Sequence, residues 1–292
     1  MRAAVLGAGV MGRNIAKVLL RGGHEVALYS RTEQTLLDAG QSLEREAGTQ
    51  IAYTTSISEA SAGAGLIIES VPESLVLKVL VLREVESAAP ARAVIASNTS
   101  SLPLPRLAEA LVEPERFLGL HWFNPAHLIP LVEVVPIERT DPSVVEWSMA
   151  LLADLGKRPL ALSRPVAGFL ANRLQYALIR EALQLVDDGV ATPEQIDSVM
   201  TDCLGLRWAV LGPMQSTDLA GVPTAVAVAR ELFPGLSNAD APQPVLSELL
   251  ESGRLGVSTG EGFFAYPDPE AVAQTRDRLL SSVLGILAEA KG

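Results

Sequence analysis

His121 and Glu133 are the residues of this chain whose types and setting could move a proton. His121 is one of three histidines and follows the run Arg116 to Leu120, which reads as a strand. Trp122 and Phe123 come next, then an Asn124-Pro125 turn. A histidine where the backbone leaves a sheet is placed to exchange a proton near neutral pH. Taken alone, a histidine there is more often simply satisfied at a turn. Leu131-Val132-Glu133-Val134 then puts a carboxylate inside an apolar strand. Desolvating an unpaired charge is expensive, so a buried Glu133 needs a partner. A histidinium at position 121 is the obvious one.

The elements that must hold this pair begin at the N-terminus. Met1 to Leu6 is a short apolar run suited to a buried parallel strand, and Asn14 to Leu20 reads as a helix. Between them stands Gly7-Ala8-Gly9-Val10-Met11-Gly12. Gly-x-Gly-x-x-Gly between a strand and a helix is a dinucleotide-binding signature. Gly7 permits the tight turn, Gly9 lets a pyrophosphate approach the backbone, and Gly12 lets helix and strand pack closely. The second strand, Glu25 to Tyr29, ends in Ser30-Arg31-Thr32. An NAD site usually has a carboxylate there for the ribose 2′-hydroxyl. Two hydroxyls and a guanidinium stand in its place, all able to donate to a 2′-phosphate. This predicts a preference for NADP(H), with NAD(H) as the alternative if Arg31 is a solvated turn residue.

Further strands are predicted at Ile51 to Thr54, Gly65 to Glu69 and Ala93 to Ala96, with helices over Glu33 to about Glu46 and Leu75 to Ser87. Strands alternating with helices, several as continuous apolar runs, argue a parallel doubly wound sheet of the Rossmann type. Ligands of such sheets lie at the carboxyl ends of the strands. Glu73, Asn98, Ser100 and His121 all follow predicted strand ends. A helix over Asp141 to Leu155 and a strand over Arg158 to Leu162 finish this part, and Ser163 to Gly168 reads as a linker. Helices are then expected at Phe169 to Asp187, Pro193 to Cys203, Met214 to Glu231, Gln243 to Glu251 and Pro269 to Ala290. Thr192, Pro193 and Gln195 form a helix-start signal. The fold class is therefore α/β: a dinucleotide-binding domain over 1–163, then an all-α domain over 164–292.

Composition bounds the function. With 292 residues the chain can bury one large core or two moderate ones. A net charge of −11 argues against a nucleic-acid partner. Cys203 stands alone, so no disulfide framework or cysteine-based metal site is expected. No apolar run reaches the ~18 residues of a spanning helix, and the start of the chain lacks a signal-peptide pattern. The expected location is cytoplasmic, with no membrane partner.

Taken in order, these pieces resemble the L-3-hydroxyacyl-CoA dehydrogenase family, with its lambda-crystallin and carnitine-dehydrogenase relatives. The resemblance rests on residues 7–12, Glu73 with Lys78, Ser97 to Leu102, Gly119 to Pro125 and Leu131 to Val134. It continues in Gly168 to Arg173, Leu211 to Pro213 and Thr259 to Phe264. It implies that His121 is the general base that takes the hydroxyl proton as hydride leaves, with Glu133 orienting and charge-stabilising the imidazole. It implies that Ser100 and Asn172 hydrogen-bond the substrate oxygen or thioester carbonyl. Asn98, Glu73 and Lys78 would line the nicotinamide end. On residue chemistry alone, Ser100 could be a helix cap, Asn172 a polar residue on a solvated face, and Glu73 a complement to a helix N-terminus. The family also implies a homodimer through the second domain. The long, apolar helix after Gly168 suits a dimer seam or a domain core, and periodicity does not separate them.

Two departures bear on the substrate. One is Ser30-Arg31. The other is that the connection from Thr32 to Tyr53 has room for only a single helix. Family members acting on CoA esters carry a longer helical excursion there. The only lysines are Lys17, Lys78, Lys157 and Lys291, whereas the phosphates of CoA want fixed cations. The expected substrate is a 3-hydroxyacyl thioester, with an acyl-carrier-protein thioester or a small free 3-hydroxy acid as alternatives. A non-catalytic, crystallin-like dinucleotide binder is the reading from another class. The intact set Ser100, His121, Glu133 and Asn172 favours the enzyme.

Overall fold

A computed structural model describes residues 1–43 and 51–290, so the end of the helix expected to reach Glu46 lies outside the described residues. The chain forms two compact units, Met1–Arg173 and the part from Leu174 onward. The first contains β1 (Arg2–Leu6), α1 (Val10–Arg21), β2 (Glu25–Tyr29), α2 (Glu33–Leu43), β3 (Ile51–Thr54), α3 (Ile57–Ser61) and β4 (Leu66–Glu69). It continues with α4 (Leu75–Ala88), β5 (Val94–Ser97), α5 (Leu104–Ala108), β6 (Phe117–Trp122), β7 (Leu131–Pro136), α6 (Pro142–Asp154) and β8 (Arg158–Ala161). The strands lie in the order β3-β2-β1-β4-β5-β6-β7-β8.

Alternation along each strand divides the side chains between two buried layers. Ala3 and Val5 enter one layer with α1 and α6, whereas Ala4 and Leu6 enter the other with α4 and α5. Both faces are covered, which is why the strands read as continuous apolar runs. The strand order reverses between β1 and β4. That is the switch point where open α/β sheets bind ligands.

The sheet is not wholly parallel. β7 pairs antiparallel with β6 and parallel with β8. A parallel β6–β7 pair would need a crossover of a dozen or more residues, usually through a helix. The connection from Phe123 to Pro130 holds no helix or strand. β6 also runs further than the sequence pattern predicts, so His121 lies within the strand rather than beyond its end. α1 starts at Val10, directly on the glycine turn, and not at Asn14.

The first unit extends to Arg173, and Phe169 is buried in the layer that holds Phe117 and Val135. α7 (Ala171–Asp187) leads into the second unit, which adds α8 (Pro193–Val199), α9 (Gly205–Val210), α10 (Pro213–Ala220), α11 (Val222–Leu232), α12 (Pro244–Glu251) and α13 (Pro269–Glu289). Thr192 and Gln195 form a reciprocal capping box on α8. A π-helical turn, Met200–Leu204, joins α8 to α9, so helix continues past the expected end at Cys203. The single helix expected over Met214 to Glu231 is broken at Gly221, whose φ of 91° suits glycine. Among the described residues of this unit, only Leu183 and Leu249 are buried apolar side chains. No described helix is long and apolar enough to cross a membrane.

Candidate active site

The antiparallel register sets His121 directly opposite Glu133. Both point into the layer of Phe117 and Val135, since each is an even number of residues from one of them. His121 Nδ1 lies 2.7 Å from Glu133 Oε2, and both side chains are buried, at 4% and 0% exposure. An ionised carboxylate only accepts, so Nδ1 carries the proton of this bond and Nε2 remains to exchange another. Glu133 Oε1 accepts from the amides of Leu170 (3.0 Å) and Ala171 (2.9 Å) at the start of α7. Burial pushes the Glu133 carboxyl up, but bonds from His121 and these amides outweigh it and hold the pKa below the ordinary carboxylate value. The pair is thus a charged acceptor fixed behind an imidazole.

The same amides place Asn172, whose Nδ2 donates to the backbone oxygen of Ser100 at 3.3 Å. This brings the loop after β5 against the first turn of α7. That loop is held from below by Glu73. Its Oε1 accepts from Thr99 Oγ1 (2.6 Å), the Ser100 amide (3.0 Å), and the amide and hydroxyl of Ser101 (both 3.0 Å). Burial raises the Glu73 pKa, but the Thr99 hydroxyl, the Lys78 charge and Ser101 bring it down to about 2. Asn98 ties three strand ends together: Nδ2 donates to Ser70 Oγ at 3.2 Å and Oδ1 accepts the Trp122 amide at 3.0 Å.

Lys78 is 1% exposed and is engaged inside the protein. It donates to Glu69 Oε1 at 2.7 Å and to the Val71 carbonyl at 3.1 Å, with Glu73 Oε2 at 3.3 Å. It therefore anchors the loop after β4 through its own bonds. Glu69, which none of the sequence motifs pointed to, is fully buried and also accepts from Ser97 Oγ at 2.6 Å and the Val71 amide at 2.8 Å. Its signal was available: a carboxylate in an apolar strand, at the end of β4 as Glu133 is inside β7. Phe123 and Phe169 lie in the motifs that carry the family resemblance, but no role was expected of them. Their rings lie 4.4 and 5.3 Å from the His121 ring.

The glycine turn fits a dinucleotide. Gly7 has φ 116°, and a Cβ there would lie 2.4 Å from the Ser70 carbonyl. A Cβ on Gly12 would lie 1.7 Å from the Gly7 oxygen. A Cβ on Gly9 would meet nothing within 4 Å, which leaves open the space a pyrophosphate needs. Gly9 is the N-cap of α1 without a side-chain cap, so the first amides of α1 can serve phosphate; Val10 is exposed there and Met11 half-buried. At the tip of β2, Arg31 is exposed and Ser30 half-buried, while Thr32 Oγ1 accepts from the Thr35 amide at 3.4 Å and so caps α2.

The model of the 3-hydroxyacyl-CoA dehydrogenase NAD-binding domain matches residues 2–164, and that of the family's C-terminal domain matches 168–266. The chain belongs to the 3-hydroxyacyl-CoA dehydrogenase family. It is an oxidoreductase with an NAD-binding domain. Within the family it is 35% identical to the 5-formyl-3-hydroxy-2-methylpyridine 4-carboxylate 5-dehydrogenase of Mesorhizobium japonicum, over 97% of both chains. It is 41% identical to the L-carnitine dehydrogenase of Streptomyces griseus, over 75% of this chain and 70% of that one. A crystal structure of a dehydrogenase with the first relative's activity, described as an NAD+-dependent dismutase, superposes with a TM-score of 0.94. The two are 34% identical over 98% of both chains.

Proposed function

We propose that this family member oxidises the hydroxyl-bearing carbon of a small free acid, a 3-hydroxy acid or a hydrated aldehyde on a carboxylated ring, rather than a CoA thioester. The reaction rests on one observation above all: a buried imidazole–carboxylate pair in the same sheet as the glycine turn. The bound nicotinamide would supply the hydride acceptor. His121 Nε2 would take the hydroxyl proton as the carbonyl forms, and Glu133 would stabilise the imidazolium through Nδ1. In reduction the same nitrogen returns the proton. Ser100 and Asn172, joined through the Ser100 carbonyl, would hold the substrate oxygen.

The choice of a small acid is supported by the short connection after Thr32 and by the lysines. Lys78 is committed to Glu69 and Glu73, and Lys157 donates to the Ala126 and Ile129 carbonyls. The Mesorhizobium japonicum relative, matched over 97% of both chains, acts, by its name, on a pyridine carboxylate. The family model favours the second reading, a 3-hydroxyacyl thioester on CoA or a carrier protein. A nicotinamide absorbance assay separates the two, comparing free hydroxy acids, a 3-hydroxyacyl-CoA and the same acyl group on pantetheine. Equal kcat/KM for the CoA ester and its truncated form is the expected result. A ~10²-fold penalty on truncation, about 2.7 kcal/mol, would mean that the CoA nucleotide is bound productively.

For the cofactor we infer a preference for NADP(H), supported by Ser30 and Arg31 where a carboxylate would repel a 2′-phosphate. Arg31→Ala should weaken NADP(H) binding by ~10-fold and leave NAD(H) unchanged. An NAD preference unaffected by that substitution, in line with the NAD+-dependent structural relative, would reverse the inference.

A further inference from the structure

Phe169 stands out on backbone grounds. Among the described residues it is the only non-glycine with positive φ, at 48°. A bulky residue in the left-handed region persists only where the surrounding structure over-determines it, and such outliers cluster at functional sites. The residue before it, Gly168, has φ 72°. Two successive left-handed residues thus lead into α7.

This turn reaches both members of the buried pair. The Phe169 ring, 2% exposed, lies 5.3 Å from the His121 ring at an interplanar angle of 60°. The Phe123 ring lies 4.4 Å from the same imidazole at 58°. Directly after Phe169, the Leu170 and Ala171 amides both converge on Glu133 Oε1. A glycine would accept the backbone at no steric cost. A phenylalanine there pays the strain and supplies a ring that glycine cannot.

We propose that Phe169 is a positioning residue: its left-handed backbone aims two amides at Glu133 while its ring shields His121, keeping the Nδ1–Glu133 hydrogen bond fixed and dry. The inference rests on the reading of His121 as the proton carrier, but its test needs no substrate. In the intact protein, proton NMR should show a low-field imidazole N–H that exchanges slowly with water and disappears in His121→Gln. Phe169→Leu keeps apolar bulk and loses the flat ring; Phe169→Gly frees the backbone and loses the ring. Both should speed exchange of that proton ~10-fold or more, while β1 backbone amides keep their parental rates. If Phe169→Gly fails to fold, Phe169→Leu decides. Unchanged exchange in Phe169→Leu, acceleration shared equally by the β1 amides, or no protected proton in the parent would each overturn the proposal. Inactivity in every dehydrogenase assay would instead count against the proposed reaction and leave this readout intact.

Discussion

His121 and Glu73 carry the predictions that belong to single residues. His121→Gln removes the exchanging nitrogen without touching the glycine turn. It should lower the chemical rate on the best substrate by ~10²-fold or more, with cofactor affinity near the parental value. Full activity in that variant would refute the assignment of the base. Glu73 predicts a pH effect on stability. Its folded pKa of about 2 lies below the ordinary 4.5. A depressed carboxylate contributes stability above its unfolded pKa and loses it as pH falls through the folded one. Thermal midpoints should therefore fall between about pH 5 and pH 3, and fall less in Glu73→Gln, which no longer titrates. Equal slopes in both proteins would mean that the bonds to residues 99–101 do not persist in solution.

The elements around the glycine turn make a sharper contrast, because two of its glycines serve different purposes. Gly12 serves the close packing of the turn. A Cβ there would sit against the Gly7 carbonyl, backbone against side chain with nothing flexible to yield. Gly12→Ala should cost ~1–3 kcal/mol or more, as overpacking does. Gly9 has φ −69°, ordinary for any residue, and open space where its Cβ would be. Gly9→Ala should melt like the parent yet bind nicotinamide dinucleotide ~10-fold or more weakly, since the added methyl occupies the pyrophosphate approach. Melting curves and fluorescence titration with the reduced cofactor check both. Parental affinity in Gly9→Ala would remove the turn from the binding site.

At the scale of the whole molecule, the helical unit poses the question of what covers it. Trp208, Leu219, Phe233 and Ile286 are 39, 79, 69 and 66% exposed, in a unit where, among the described residues, only Leu183 and Leu249 are buried apolar side chains. Soluble monomers rarely leave large contiguous apolar patches open to water. We propose that a second copy of the chain covers these side chains, the homodimer that the family resemblance implies. Light scattering after size exclusion should give twice the chain mass, and the melting temperature should rise with protein concentration. A monomer with a concentration-independent midpoint would leave the homodimer without support.

What the chain determines by itself is whatever depends on local pattern. Continuous apolar runs and the glycine spacing were enough for the doubly wound sheet and the turn after β1. The cap signal at Thr192 was enough for the start of α8. Period-two alternation around Val132 and Val134 already turned Glu133 to the opposite face from them. His121 was the expected partner of Glu133 on charge grounds, but the contact itself depends on register, and register follows from the antiparallel return of β7 beside β6, a non-local pairing that no window of sequence contains. The same holds for Lys78. Its spacing on a helix says nothing of Glu69, which lies on a separate strand until the fold brings the two together. Phe169 is the extreme case, since its left-handed backbone runs against its own propensity. Only the combined demands of a buried ring, two amides aimed at one carboxylate and the entry into α7 hold it there.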